Sequence, residues 1–293
     1  MTHRQQILCA LLTLATAAVV SAAHAQEGNL VEPLPIEDNG SAACGRYQVR
    51  WQNQPPPNFQ TPGSATLQAT AASGQLIVDL SWLLAPGEKL IPLWCGDLLG
   101  DGRQAVGYEL FSGGAHCCFT ATVVLLEPGA PHLLDAELGN GGLVQPTQLD
   151  GSGPIELPAT SDVFAYFDDL SFAASPFLPL VFAYDGNRYI EATRQFPDLI
   201  SGQLAQAEGD LQSAIARQVP APPSSQFAYQ EQESTALRLY ALHVLLGDAD
   251  QALPGILARV SPPVAAWLTA NQQAALDALG QVYSLDGDAV AAE

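Results

Sequence analysis

Lysine is nearly missing from this sequence: Lys89 is the only one, and the basic total is 10 against 30 acidic residues. A surface that acidic repels phosphate backbones and anionic headgroups, which argues against nucleic-acid and membrane-surface binding. Also missing is any C-x-x-C pair, the spacing that turns two sulfurs toward one metal ion or makes a redox couple. Gly151-Ser152-Gly153 lacks the G-x-S-x-G frame of a hydrolase nucleophile elbow. Phosphate-binding and dinucleotide-binding glycine fingerprints are absent as well. After residue 25 there is no apolar run long enough to cross a bilayer, which needs about 20 residues.

What is present begins with an export signal. His3 and Arg4 lead into the apolar run Ile7 to Ala23, which ends in Ala23-His24-Ala25, the small-x-small pattern of a signal-peptidase site. A membrane anchor fails on length, and a lipoprotein would need a cysteine after the run, whereas Cys9 sits at its start. Residues 1–25 are therefore expected to be a signal peptide, and the mature protein to be periplasmic or extracellular and not inserted in a membrane.

Export decides how the cysteines are counted. Cys44, Cys95, Cys117 and Cys118 remain after cleavage, an even number that in an oxidising compartment reads as two disulfides. A bond between neighbours closes a strained ring. The expectation is that Cys117 and Cys118, on opposite faces of one strand, each tie back to one of Cys44 and Cys95. The partner of each is left open, and so is the role of His116. A nucleophile–base pair of His116 with either cysteine is disfavoured by that same alternation. A zinc or copper site built from His116, the two cysteines and His132 is disfavoured by the missing spacer.

The chain divides into two halves of different character. Residues 26–43 are rich in Pro, Glu, Asn and Gly and read as a flexible leader. Residues 44–195 have strand periodicity. "RYQVRW" puts Tyr47, Val49 and Trp51 on one face, and Ala72-Ser73-Gly74 marks a hairpin in "ATLQATAASGQLIVDLSW". "QAVGYELF", "FTATVVLLE", "DVFAYF", "LPLVFAY" and "NRYIEAT" continue the series. Residues 196–285 read as helical. Leu199, Ile200, Leu204, Leu211 and Ile215 fall at helical spacing, "PAPPSSQ" is a linker, and Gly247-Asp248 is a turn. A last helix runs through "PVAAWLTANQQAALDALGQVY", with Asn271 as a candidate break, and residues 286–293 form a disordered tail. The expected fold class is α+β: an antiparallel β half, either an incomplete propeller-like array or a sandwich, followed by an all-helical C-terminal region.

An internal echo links two loops. "DLLGDGRQAV" from Asp97 and "QLDGSGPIEL" from Gln148 share x-L-x-G-x-G before an apolar strand and lie 51 residues apart. A weaker copy is "YDGNRYIEAT". These loops resemble those of the FG-GAP (integrin-alpha-like) repeat family, in which a D-x-[DN]-x-D-G-x-x-[DE] loop binds calcium between two strands of a propeller blade. The resemblance covers Cys95 to about Thr193. It implies Asp97 and Asp101 in the first loop, and Asp150, Ser152 and Glu156 in the second, as candidate calcium ligands. Leu99, Ala105 and Gln148 replace expected oxygens, and calcium takes about six to eight, so plain glycine turns are favoured over an occupied site. GGAHCC, "YDGNRYIEATRQFP" and a helical tail together also resemble a group of exported bacterial proteins, which supplies a class and no activity.

Two functional readings follow. The first is a non-enzymatic exported module that binds a protein or carbohydrate through β-half loops, with no resident cofactor beyond candidate calcium. The second is a secreted hydrolase whose carboxylates, such as Asp168-Asp169 beside Phe167, come together only in the folded chain. Two carboxylates about 5 to 10 Å apart in a cleft would serve glycoside hydrolysis, whereas an Asp pair between strands is usually a turn. His243 reads as a packed or boundary histidine.

Overall fold

The computed structural model describes residues 31–114, 117–217 and 229–285. Residues 1–25, expected to be a signal peptide, the "PAPPSSQ" linker, His116 and the expected tail from 286 lie outside them. Twelve strands and four α-helices follow one another in the expected order of β half and helical half. They are β1 (Val31–Pro33), β2 (Asn39–Cys44), β3 (Tyr47–Gln54), β4 (Gly63–Ala71), β5 (Leu76–Leu84), β6 (Lys89–Gly96), β7 (Ala105–Gly114), β8 (Cys117–Leu125), β9 (His132–Gly139), β10 (Leu157–Ser161), β11 (Leu178–Tyr184) and β12 (Tyr189–Glu191). The helices are α1 (Pro197–Arg217), α2 (Gln230–Leu246), α3 (Ala249–Arg259) and α4 (Pro262–Leu279).

Between the two alternatives for the β half, the chain forms a sandwich. An outer sheet in the order β2-β3-β4-β5 faces an inner sheet in the order β1-β6-β7-β8-β9, and every pairing is antiparallel. The alternation of β3 is complete, with Tyr47, Val49, Trp51 and Asn53 inward. Tyr47, Val49 and Trp51 meet Leu90, Val106, Tyr108 and Val124 of the inner sheet, and Leu126 just past β8, in one core, while the Asn53 side chain bonds the Leu90 backbone. The hairpin closes where expected, with Gly74 at φ 83° and its amide on the Ala71 carbonyl.

The other face of the inner sheet is also buried. Trp94, Ala105, Ala121, Val123 and Leu125 share a second core with a small sheet, β10-β11-β12, and with Leu237, Leu242 and Leu268 of the helices. Sheets buried on both faces carry apolar runs instead of alternation, which is why "TVVLLE" is continuous. Arg194 clips the halves together, its guanidinium donating to the carbonyls of Leu245 at the end of α2 and of Leu285. Two tryptophans are seated on glycines across the strand pairs: Trp51 opposite Gly40 in β2, and Trp94 opposite Gly107 in β7. A Cβ on Gly107 would stand 2.5 Å from the Trp94 ring, so only glycine leaves room for that indole.

Several expectations need correction. The cross-pairing of the cysteines does not form. Cys44 is bonded to Cys95, with Cα atoms 5.8 Å apart, which staples the outer sheet to the inner one. Cys118 is also disulfide-bonded, and therefore to neither of them. The register explains why. Cys95 pairs with Val106 and Val106 with Val124, six residues along β8 from Cys118. That is about 20 Å at strand rise, far beyond disulfide reach. The leader read as flexible supplies β1 and β2 from residue 31 onward. "DVFAYF" is not a strand: Ala165 N donates to Asp162 O, Phe167 N donates to Phe164 O, and Tyr166 and Asp168 take positive φ. Aromatic content there mimicked β-propensity, while Phe164 serves as a buried plug. α4 runs unbroken past Asn271, whose side chain bonds Asp168 and the Trp267 carbonyl.

Candidate functional site

Where the inner sheet ends at β9 and the small sheet ends at β12, the two edges leave a cleft of about 370 Å³. β9 contributes His132 and Asp135, and β12 with the turn before it contributes Arg188, Tyr189 and Glu191. A volume of this size is in the range of small-ligand sites.

A bulge builds the β9 side. His132 and Asp135 are three residues apart, and a regular strand would point them to opposite faces. In β9 the register shifts between the partners of Val123 and Val124, so that Leu134 faces Val123 and His132 faces Val124. Leu133 is the extra residue. Both leucines are buried and both polar residues are exposed, the re-aiming of a side chain that bulges perform. His132 Nδ1 then lies 2.8 Å from Asp135 Oδ2 and 3.0 Å from Oδ1. Oδ1 also accepts the Thr122 hydroxyl at 3.1 Å. The imidazole is thus fixed in orientation, and its Nε2 has no hydrogen-bond partner among the described residues.

The opposite wall is set by the turn "YDGNRY". Asp185 Oδ1 accepts the amides of Asn187 and Arg188, both at 2.8 Å, which pins the turn and holds the Asp185 carboxyl below the usual carboxylate range. The Arg188 guanidinium makes no ion pair or hydrogen bond with any described residue. Arg103, Arg217, Arg238 and Arg259, in contrast, each pair with a carboxylate. Glu191 is committed to structure: Oε1 accepts the Thr193 amide and Oε2 the Ser284 amide. The Tyr189 hydroxyl donates to the Ile155 carbonyl, and burial pushes its pKa far up. His132, Asp135 and Arg188 are left to meet a ligand.

The residues expected to bind calcium lie elsewhere. The structure sets the two glycine–aspartate loops side by side, with the Ile155 amide on the Leu98 carbonyl at 2.8 Å. Their carboxylates point inward to their own turns. Asp97 accepts the amides of Gly100 and Gly102, and Asp101 holds the Arg103 amide and guanidinium. Asp150 accepts the Ser152 amide, and Glu156 that of Leu149. Burial raises the Glu156 pKa, with a smaller push from Asp150. Among the described residues, no group of three or more His, Cys, Asp or Glu is placed to hold a metal ion. Asp168 and Asp169 do not line the cleft either. His243 bonds Asp248 at 2.8 Å beside the α2–α3 turn.

The sequence offered no direct signal for Asp135 or Arg188. "HLLD" reads as opposite faces unless the bulge is known, and an arginine in a turn reads as solvated. No protein-family model matches the chain, and neither a curated protein nor a solved structure matches it.

Proposed function

We propose that the chain is an exported binding protein whose β half holds a small polyhydroxylated, carbohydrate-like ligand in the cleft between β9 and β12. The observation that carries this reading is the unpaired Arg188 guanidinium facing an oriented His132–Asp135 pair across about 370 Å³. Planar donors and acceptors of this kind meet hydroxyl groups in pairs, and in a cleft they fix a ligand's orientation. Export rests on the apolar run Ile7 to Ala23 and its Ala-x-Ala end. No helix among the described residues is long and apolar enough to cross a membrane. The adjacent Gly-Asp loops fit a degenerate relative of the FG-GAP repeats that keeps the turns and directs the carboxylates to backbone amides.

Calorimetry against a panel of neutral and acidic oligosaccharides tests the proposal. At least one should bind, and Arg188→Ala should weaken it roughly tenfold or more, the scale of one charge-assisted contact. Binding unaffected by Arg188→Ala would refute the assignment. A secreted hydrolase is the second reading, favoured by the His132–Asp135 pairing of a base with its orienting group. It lacks a serine, cysteine or threonine in the cleft lining. Turnover of chromogenic esters or glycosides, lost in His132→Ala, would establish it.

A further inference from the structure

The polar side chains lining the β9–β12 cleft differ in what each has left to offer a ligand. Asp135 turns both oxygens to His132 Nδ1, and its Oδ1 also accepts the Thr122 hydroxyl. Both oxygens of Glu191 accept backbone amides, from Thr193 and Ser284. The Tyr189 hydroxyl is committed to the Ile155 carbonyl. Asp185, in the turn that carries Arg188, accepts the amides of Asn187 and Arg188. Two groups of the lining remain unspent among the described residues: the Arg188 guanidinium and His132 Nε2.

Elementary chemistry fixes what each of the two wants. A guanidinium only donates, and its parallel N–H groups match the two oxygens of a carboxylate. A carboxylate only accepts, so in the neutral imidazole the proton sits on Nδ1, between the ring and Asp135, and Nε2 is left as a bare acceptor. The cleft therefore calls for an anionic acceptor at one point and a donating hydroxyl at another. Charge narrows the anion further. Arg188 carries the one positive charge of the lining that no carboxylate already holds. Asp135 and Glu191 share the cleft with it, and Asp185 lies beside it, in a chain of net charge −20. One guanidinium balances a carboxylate, whereas a phosphate dianion would leave a charge unmatched among these acids.

We propose that the ligand of the cleft is a sugar acid, its carboxylate seated on the Arg188 guanidinium and a hydroxyl of the same ring donating to His132 Nε2. The assignment rests on the reading of the cleft as a carbohydrate-like site and narrows that site to uronates. Asp135 is then a positioning residue, because it acts through His132 by fixing which ring nitrogen carries the proton. The bulge at Leu133 brings the two onto one face.

Calorimetry at pH 8 would compare galacturonate, glucuronate and mannuronate with galactose, glucose and mannose, which keep the ring hydroxyls and lack the carboxylate. At least one uronate should bind roughly tenfold or more tightly than its parent sugar, the scale of a charge-assisted pair. Arg188→Ala should abolish that preference, and glucose 6-phosphate should bind more weakly than glucuronate. Nitrogen-15 shifts of the His132 ring should show a protonated Nδ1 and a bare Nε2, and Asp135→Asn should lose that fixed tautomer. A parent sugar that binds as tightly as its uronate, with both weakened in Arg188→Ala, would overturn the carboxylate and leave the cleft reading standing. Tighter binding of the phosphate, a protonated Nε2 in the neutral ring, or a uronate preference unchanged in Arg188→Ala would each overturn the assignment. So would absence of binding by all six sugars, and the cleft reading falls with it only if the oligosaccharide panel fails too.

Discussion

Replacing Glu233 by glutamine should make the protein more stable at alkaline pH and leave it unchanged in acid. An ordinary glutamate side chain ionises near 4.5; Glu233, in the first turn of α2, is raised to about 7 by burial first and then by the charges of Asp169 and Asp168. Below pH 4.5 the carboxyl is neutral in both the folded and unfolded chains, so it costs nothing. Between pH 4.5 and 7 the unfolded chain ionises while the folded chain resists, and wild-type stability falls as pH rises. Above pH 7 the full penalty is present; roughly 1.4 kcal/mol for each tenfold shift in the proton equilibrium gives about 3 kcal/mol at most, and water reaching the carboxylate oxygens screens it to about 1–2 kcal/mol. Glutamine has the same shape and no charge. Denaturant unfolding of both proteins at pH 4.5 and pH 8 reads the difference directly. The variant should gain about 1–2 kcal/mol at pH 8, or roughly 2 to 8 °C in midpoint for a chain of this size, and almost nothing at pH 4.5. A variant less stable than wild type by the same amount at both pH values would refute the reasoning, because it would mean that the carboxylate has a partner.

The stapled sandwich makes further predictions. Cys44→Ser should cost about 4 kcal/mol in non-reducing unfolding, the chain-entropy value for closing a loop of 51 residues, and Cys44→Ser/Cys95→Ser should cost no more than either single change. Gly107→Ala drives a methyl into the Trp94 indole and should destabilise by about 1–3 kcal/mol, as overpacking does, with Trp94 fluorescence reporting the displaced ring. Millimolar calcium should leave the melting temperature unchanged, since Asp97 already spends both oxygens on Gly100 and Gly102; an upward shift would reinstate the loops as a metal site.

The parts of the fold that sequence patterns made legible are those where one local rule acts alone. β3 alternates because one face is buried, α1 keeps its apolar spacing, and Gly247 ends α2 in the left-handed conformation that glycine favours. The parts that were not legible combine two constraints. β6 hides behind Pro92, which sits at a register shift where the lost amide is tolerated. The cysteine pairing depends on which strands face each other across the sandwich, a tertiary fact that spacing does not carry. The cleft depends on one extra residue in β9, so neither His132 nor Asp135 announces its partner. Glu233 reads as an ordinary charge in a helical first turn until the Asp168–Asp169 loop is folded against it.

The cleft between β9 and β12 carries the proposed function. The direct measurement is a heteronuclear NMR titration of residues 26–293 with the tightest ligand from the oligosaccharide panel. Saturating shifts confined to the amides of residues 132–135 and 188–191, and absent in Arg188→Ala, are the predicted result. Shifts that map to another surface, with residues 132–135 and 188–191 unmoved at saturation, would contradict it.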